Sequence, residues 1–150
     1  MDLHGNYNPT NPFSSIIQGE VSSYTVFEDD DVMAFLDIFP QSLGHVLVIP
    51  KCSNARNILD VAPDTLAQMI KVVQKVCIAV VDELSPDGVQ VMQCNGTAAG
   101  QTIYHIHFHI IPRWTGKPPS PRGLEISDPV YLQSIHRHLK VRIAGTAEIQ

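Results

Sequence analysis

Three histidines at alternate positions, His105, His107 and His109, are the residues whose type and spacing most clearly suggest chemistry. Apolar residues separate them, a pattern typical of a β-strand, so we expect the three imidazoles to project from one face. Each imidazole stands where Val or Ile would suit a sheet better. The pattern favours either a metal site with nitrogen ligands or direct nucleophilic and acid–base chemistry on a phosphate.

The segment before the triad favours the phosphate. Residues 95–102 read Asn-Gly-Thr-Ala-Ala-Gly-Gln-Thr, and their two glycines allow backbone N–H groups to approach an anion closely. A phosphate fits such a loop better than a bare metal ion does.

The remaining chain must supply the elements that position these groups. Short apolar or alternating runs predict five strands, over residues 24–28, 32–37, 45–49, 88–94 and 103–111. Helical spacing of apolar residues predicts one long helix over 61–84 and shorter ones over 13–18 and 130–143. Together they predict an α+β domain with a five-stranded antiparallel sheet. Residues 1–12 are expected to form a flexible N-terminal arm.

The long helix carries a second apolar stripe, formed by Val72, Val76 and Ala79, beside the stripe that faces the sheet. One sheet cannot cover both sides of a helix. We therefore predict that the second stripe packs against another subunit, which makes a homodimer the expected assembly.

Composition narrows the range of partners. A net charge of −5 argues against broad binding to nucleic acid, which needs a basic face. No apolar run approaches the ~18 residues of a membrane span, and the first residues lack the pattern of a signal peptide. The expected location is the cytoplasm, without membrane contact. The sequence has three cysteines and no Cys-x-x-Cys spacing, so we do not expect a disulfide framework to hold the fold together.

Two separate blocks resemble one known family. The first is Gly100-Gln101-Thr102 followed by His-Ile-His-Phe-His at 105–109, and the second joins residues 27–38 to the Gly-His-Val-Leu-Val-Ile-Pro-Lys of 44–51. In this order they resemble the histidine-triad (HIT) superfamily of nucleotide-binding hydrolases and transferases. The resemblance implies a HIT domain over 13–114, completed by a C-terminal loop and helix over 115–150. No proline separates the histidines, which favours a hydrolase over a hexose-1-phosphate uridylyltransferase.

The resemblance also implies a catalytic mechanism. His107, the middle histidine, would attack the α-phosphorus of a nucleoside phosphoramidate or a dinucleoside polyphosphate and form a nucleotidyl-histidine intermediate. His109 would donate to a phosphate oxygen or to the leaving group, and a backbone carbonyl near His105 would hold the ring of His107. Thr102 would add a neutral donor, and His45 would support the triad.

A nucleotide site follows from the same resemblance, with an AMP-type purine nucleotide as the expected ligand. The base would pack on an apolar wall and the ribose would bind Asp37. The wall is formed by Phe13, Ile16, Phe35 and Ile38, and the phosphate group would meet Asn95, Gly100, Gln101, Thr102, His107 and His109. Homodimers are usual in the family, and no cofactor is implied.

One departure from the family concerns metal. Many bacterial-type HIT proteins hold a structural zinc with a Cys-x-x-Cys near the N-terminus, a histidine after the Pro-Lys and the first triad histidine. The corresponding positions here are Asn11, Ser14, Ser53 and His105, so no metal site is expected. Two alternatives stay open at this point: a nucleotide-binding regulator without meaningful turnover, and a metallohydrolase that uses the three histidines as ligands.

Overall fold

The computed structural model describes residues 2–120 and 126–145. Within them a single five-stranded antiparallel sheet has the order β1-β2-β3-β5-β4. The strands are β1 (Thr25–Glu28), β2 (Val32–Leu36), β3 (Val46–Pro50), β4 (Gly88–Met92) and β5 (Phe108–Arg113). The helices are α1 (Pro12–Ile17), α2 (Pro63–Leu84) and α3 (Pro129–Ala144), with a short 3-10 turn at Thr97–Ala99. The predicted α+β class is confirmed.

The two faces of the sheet have different partners. Every residue of β2 and β3 is buried, as expected for a continuous apolar run at the centre of a sheet. On one face, alternate side chains such as Ala34, Val48 and Ile110 pack under α2 and α3 in the main core. On the other face, Phe35 and Leu47 belong to a smaller cluster with α1. The smaller cluster therefore lies on the face of the sheet that α2 leaves uncovered.

The prediction that the second apolar stripe of α2 packs against another subunit is wrong. Val72, Val76 and Ala79 are buried within the chain, in the same cluster as the inward side of α3. The residues of α3 in that cluster are Leu132, Ile135, Leu139 and Ile143. The sheet covers one side of α2 and α3 covers the next, so this stripe does not require a second subunit.

The triad strand is shorter than predicted. Pairing between β3 and β5 stops at Val48 and Phe108, so only His109 of the three histidines lies in regular strand structure. Pro50 has no backbone N–H and cannot continue the ladder. The N–H of Ile106 bonds instead to the carbonyl of Ala55, at 3.0 Å. All three histidines nevertheless remain buried, and the apolar residues between them point towards the helices.

The N-terminal arm and the loop before α3 each form hydrogen bonds with loops near the site. The carboxylate of Asp2 accepts hydrogen bonds from Thr97 and from the hydroxyl of Tyr104. The flexibility predicted for the arm stays a prediction. Two backbone N–H groups of the C-terminal loop, at Ser120 and Ser127, bond to carbonyls in the segment 38–41. Residues 121–125 and 146–150 of the predicted C-terminal segment lie outside the described residues.

Among the helices that the structure describes, none combines the length and the apolar character that crossing a membrane requires.

Candidate active site

A cavity of about 380 Å³ opens on the face of the sheet opposite α2. Its lining includes many of the residues predicted for the nucleotide site: Phe13, Ile16, Phe35, Asp37, Ile38, Thr102, His107 and His109. A larger groove of about 770 Å³ runs between α2 and α3, but none of the predicted site residues lines it. The smaller cavity is therefore the candidate active site.

Helix α1 supplies one wall of the cavity. It begins at Pro12, and the side chain of Asn11 caps it by accepting from the N–H groups of Phe13 and Ser14. Phe13 and Ile16 lie one turn apart and so share a face. The ring of Phe13 makes T-shaped contacts with the rings of Phe35 and His107, at centroid distances of 5.5 and 5.0 Å. The result is an apolar slot that suits a planar ring next to the triad.

The proton on the middle histidine is placed by a backbone group. Nδ1 of His107 lies 2.8 Å from the carbonyl oxygen of His105, and a carbonyl can only accept. Nδ1 therefore carries the proton, and in the neutral ring the lone pair is on Nε2. This is the tautomer that a nucleophilic imidazole needs.

His109 has the opposite tautomer. The backbone N–H of Gln41 donates to Nδ1 of His45 at 3.0 Å, so a neutral His45 carries its proton on Nε2. That Nε2 lies 2.9 Å from Nδ1 of His109 and donates to it. His109 consequently carries its own proton on Nε2. The backbone amide of Gln41 therefore fixes the tautomer of His45 and, through it, that of His109. His45 was predicted to support the triad, and its hydrogen bond to His109 is the contact by which it would do so.

Asp37 places a carboxylate at the rim of the cavity. Its Oδ1 accepts from the N–H of Phe39 at 2.8 Å, which orients the carboxylate. Its Oδ2 is 3.7 Å from Nδ1 of His45, longer than a hydrogen bond. With 19% of its side chain exposed, Asp37 remains accessible to a ligand.

Two arrangements bear on metal binding. Nitrogen or oxygen atoms of Asp37, His45 and His109 all lie within 4.8 Å of one another, a spacing that could hold an ion. Both ring nitrogens of His45 are engaged in the hydrogen bonds just described, however, so an ion there would have to break the Gln41–His45–His109 series. The predicted alternative with the three triad histidines as ligands fits poorly, because the ring nitrogens of His105 bond elsewhere.

In this chain, three of the residues at the positions that bind zinc in bacterial-type relatives form hydrogen bonds with Tyr7. Nε2 of His105 donates to the carbonyl of Pro50 at 2.9 Å, and Nδ1 lies 2.7 Å from the hydroxyl of Tyr7. Asn11 and Ser14 bond to the same hydroxyl, at 2.9 and 2.7 Å. Amide and hydroxyl groups are poor zinc ligands compared with thiolates, so these residues do not fit a zinc ion.

Burial lowers the pKa of His105, because the charged ring would lose its hydration, while the bond to Pro50 opposes this shift. The ring is therefore neutral near pH 7. Tyr7, the partner of this ring, was not among the predicted site residues, because it is 98 positions from His105 and no periodicity marks the arm.

The loop before the triad is held mostly by its own side chains. Gln101 was predicted to donate to substrate, but its Oε1 accepts from Gly96 and its Nε2 donates to the carbonyls of Arg56 and Ile103. Asn95 was predicted to meet the phosphate, but its Oδ1 anchors the loop by accepting from the N–H of Ile58 at 2.8 Å.

Two glycines of the loop adopt positive φ, 87° at Gly96 and 93° at Gly100, which explains why glycine is needed there. Gly100, Asn95 and Gln101 do not line the cavity, whereas Thr102 does. Of the predicted phosphate contacts in this loop, the structure brings only Thr102 to the cavity.

Comparison with known proteins identifies the family of this chain. A family model described as the HIT domain matches residues 18–116 of this chain. An adenosine 5′-monophosphoramidase of Schizosaccharomyces pombe is 37% identical over 119 residues, which cover 79% of this chain and 83% of that protein.

Solved structures of similar fold extend over nearly the whole chain. A HIT-like protein involved in cell-cycle regulation from Bartonella henselae has a TM-score of 0.86 and 43% identity, and the match covers 92% of this chain and 99% of that one. A zinc-bound histidine triad family protein from Mycobacterium smegmatis has a TM-score of 0.79 and 34% identity, with 90% and 94% covered.

Proposed function

Because this chain belongs to the HIT family, we propose that it is a nucleotide hydrolase acting at the α-phosphate of nucleoside phosphoramidates or dinucleoside polyphosphates. The observation that carries the proposal is the pair of opposite tautomers at the cavity: a lone pair on Nε2 of His107 beside an N–H on Nε2 of His109. A nucleophile and a hydrogen-bond donor next to each other are what displacement at phosphorus requires.

The cavity accommodates an AMP-type nucleotide in one orientation. A purine fits the apolar slot between Phe13 and Ile38, and the ribose hydroxyls meet the carboxylate of Asp37. The α-phosphate then lies near the hydroxyl of Thr102 and the rings of His107 and His109. Neutral donors suit this chain, whose net charge is −5, because they bind phosphate without a basic surface.

In the first step, Nε2 of His107 attacks the α-phosphorus and a P–N bond to the enzyme forms. The bond to the leaving amine or nucleotide breaks, and its electron pair departs with the leaving group, which takes a proton from solvent if it is an amine. The imidazolium formed on His107 keeps Nδ1–H on the carbonyl of His105. The Nε2–H of His109 stabilises negative charge on a phosphate oxygen.

In the second step, water attacks the phosphorus on the face that the leaving group has vacated. The P–N bond to His107 breaks and its electron pair returns to Nε2, which restores the neutral nucleophile. The products are the nucleoside monophosphate and one proton released to solvent. No cofactor takes part in either step.

The test of this proposal is hydrolysis of adenosine 5′-phosphoramidate and of a diadenosine polyphosphate in excess chelator. We expect wild type to turn over at least one of them, and His107→Ala to lose about 10³-fold or more in kcat while still binding AMP. His138→Ala is a matched control, because this histidine is exposed on α3 and lines only the groove away from the site.

Other outcomes separate the alternatives. No turnover of either substrate, with AMP still bound, would contradict the hydrolase and favour a nucleotide-binding regulator. Activity lost in chelator would favour the metallohydrolase. Turnover by His107→Ala at the wild-type rate would contradict the assignment of the nucleophile.

We also infer a homodimer, on a surface different from the stripe first considered. Strand β4 lies at an edge of the sheet, and Val91 within it is 45% exposed. Ile70 and Val81 are exposed on α2, and their spacing of eleven residues places them on one face of the helix. An apolar edge strand beside an apolar helix face suits a second copy of the chain.

A further inference from the structure

The hydroxyl of Tyr7, in the N-terminal arm, reaches the first triad histidine. Oη of Tyr7 is 2.7 Å from Nδ1 of His105, and the two ring centroids are 5.7 Å apart. The other ring nitrogen of His105 donates to the carbonyl of Pro50. The ring is 1% exposed, so a buried imidazole is held at both nitrogens by two distant parts of the chain.

The direction of each hydrogen bond at Tyr7 follows from fixed groups. Nε2 of His105 must donate to a carbonyl, so Nδ1 of the neutral ring accepts and Tyr7 donates to it. The amide of Asn11 is oriented because its Oδ1 accepts two backbone N–H groups of α1. Its Nδ2 therefore donates to Tyr7 Oη, and Ser14 Oγ lies 2.7 Å from the same oxygen. Tyr7 thus keeps its own proton for His105.

The backbone of His105 connects this network to His107, the proposed nucleophile. The carbonyl of His105 accepts Nδ1–H of His107, at 2.8 Å. A shift of the His105 ring would therefore move the group that sets the tautomer and the angle of His107. The same network includes the cap of α1, the helix that carries the Phe13 wall.

Resting on the proposed function, we propose that Tyr7 is a positioning residue for the reaction, which with Asn11 and Ser14 holds His105 and, through its carbonyl, His107. Asn11, Ser14 and His105 stand where the family resemblance places zinc ligands, Tyr7 contacts all three, and a zinc-bound histidine triad protein is among the similar structures. A hydrogen-bond network centred on a tyrosine therefore replaces a metal at this corner of the fold. The N-terminal arm becomes part of the site instead of an appendage to it.

The test compares Tyr7→Phe with Tyr24→Phe, which makes the same change in a ring that packs on His136 at the other side of the sheet. Removal of the Tyr7 hydroxyl leaves Nδ1 of a buried ring without its donor. We expect kcat on adenosine 5′-phosphoramidate to fall about tenfold or more, as for other groups that orient a reacting residue, with KM changed less than about twofold. Tyr24→Phe should match wild type in both.

Nitrogen-15 NMR of the imidazoles gives a readout that does not depend on turnover. We expect a single Nε2–H form of His105 and an Nδ1–H on His107 in wild type. In Tyr7→Phe the Nε2–H form of His105 should persist, because the Pro50 carbonyl still accepts its proton, whereas the Nδ1 resonance of His105, which loses its donor, and the Nδ1 resonance of His107 should both shift. Wild-type spectra and wild-type kcat in this variant would overturn the proposal, even if the thermal midpoint fell, because Tyr7 would then serve folding alone.

Two further outcomes are separable. If Tyr7→Phe does not fold, Ser14→Ala removes one donor to the same oxygen and should give the same changes at smaller size; its wild-type behaviour would overturn the proposal. If wild type hydrolyses neither substrate, the proposed function fails, while the His105 and His107 spectra still decide whether Tyr7 holds the triad.

Discussion

The tautomers of three histidines are set by the main-chain groups they contact. His107 meets the carbonyl of His105, and His105 meets the carbonyl of Pro50, so each donates from that nitrogen. His45 meets the N–H of Gln41 and accepts. Main-chain groups have one polarity, unlike hydroxyls and amides, so these proton positions follow from geometry. A catalytic cycle can then begin from one defined proton arrangement.

The buried ring of His105 predicts how stability depends on pH. Its pKa is lowered below the 6.5 of the unfolded chain, so below that pH the unfolded state binds the proton more readily. Its contribution to folding is therefore complete above pH 6.5 and decreases as pH falls towards the folded-state pKa. In urea titrations, we expect the wild-type midpoint to fall over this range more steeply than that of His105→Gln. Parallel profiles of the two proteins would contradict this source of pH dependence.

At the scale of elements, the active site depends on where strands and helices end. Strand β3 ends at Pro50, which breaks the ladder and leaves a carbonyl for His105. Helix α1 presents the apolar wall, and its cap residue joins the Tyr7 network. The backbone of the C-terminal loop bonds to Ile38 and Gln41, so it supports both the wall and the amide that orients His45.

Helix α3 covers α2, so the loss of α3 side chains from the core should lower the free energy of unfolding. Leu139 is fully buried in the same core cluster as the α2 stripe. We expect Leu139→Ala to lower the free energy of unfolding by about 2–5 kcal/mol, from lost burial and an unfilled cavity. Val141→Ala, on the exposed side of the same helix at 70% exposure, is the control and should change it by less than about 0.5 kcal/mol. Equal effects in urea unfolding would show that α3 does not cover α2 as described.

At the scale of the whole molecule, the exposed apolar residues of α2 and β4 predict self-association. Sedimentation equilibrium at micromolar concentration should give twice the chain mass of 16.6 kDa. Val91→Lys should shift the protein towards monomer, because a charge within the edge strand opposes pairing. Val130→Lys, at a site 74% exposed at the start of α3, should leave the mass unchanged. A wild-type monomer would contradict the homodimer.

Sequence alone was sufficient where the signal is local. Alternation in 105–109 predicted a common face for the histidines, and the apolar run at 45–49 predicted a central strand, because side-chain direction follows from backbone period. Residue type, read with the family resemblance, predicted the apolar wall and the carboxylate of Asp37, and the structure brings them to one cavity.

The tertiary structure decided what depends on contacts between distant segments. Tyr7 meets His105 across 98 positions, and His45 meets His109 across 64, distances at which no periodic signal exists. The apolar stripe of Val72, Val76 and Ala79 predicted that a second surface covers α2, but only the tertiary structure identified that surface as α3. Gln101 has an amide that could donate to a phosphate, yet this amide forms hydrogen bonds with the backbone of Gly96 and Arg56. Sequence determines which groups are present and which way they face locally; the fold determines which partner satisfies each of them.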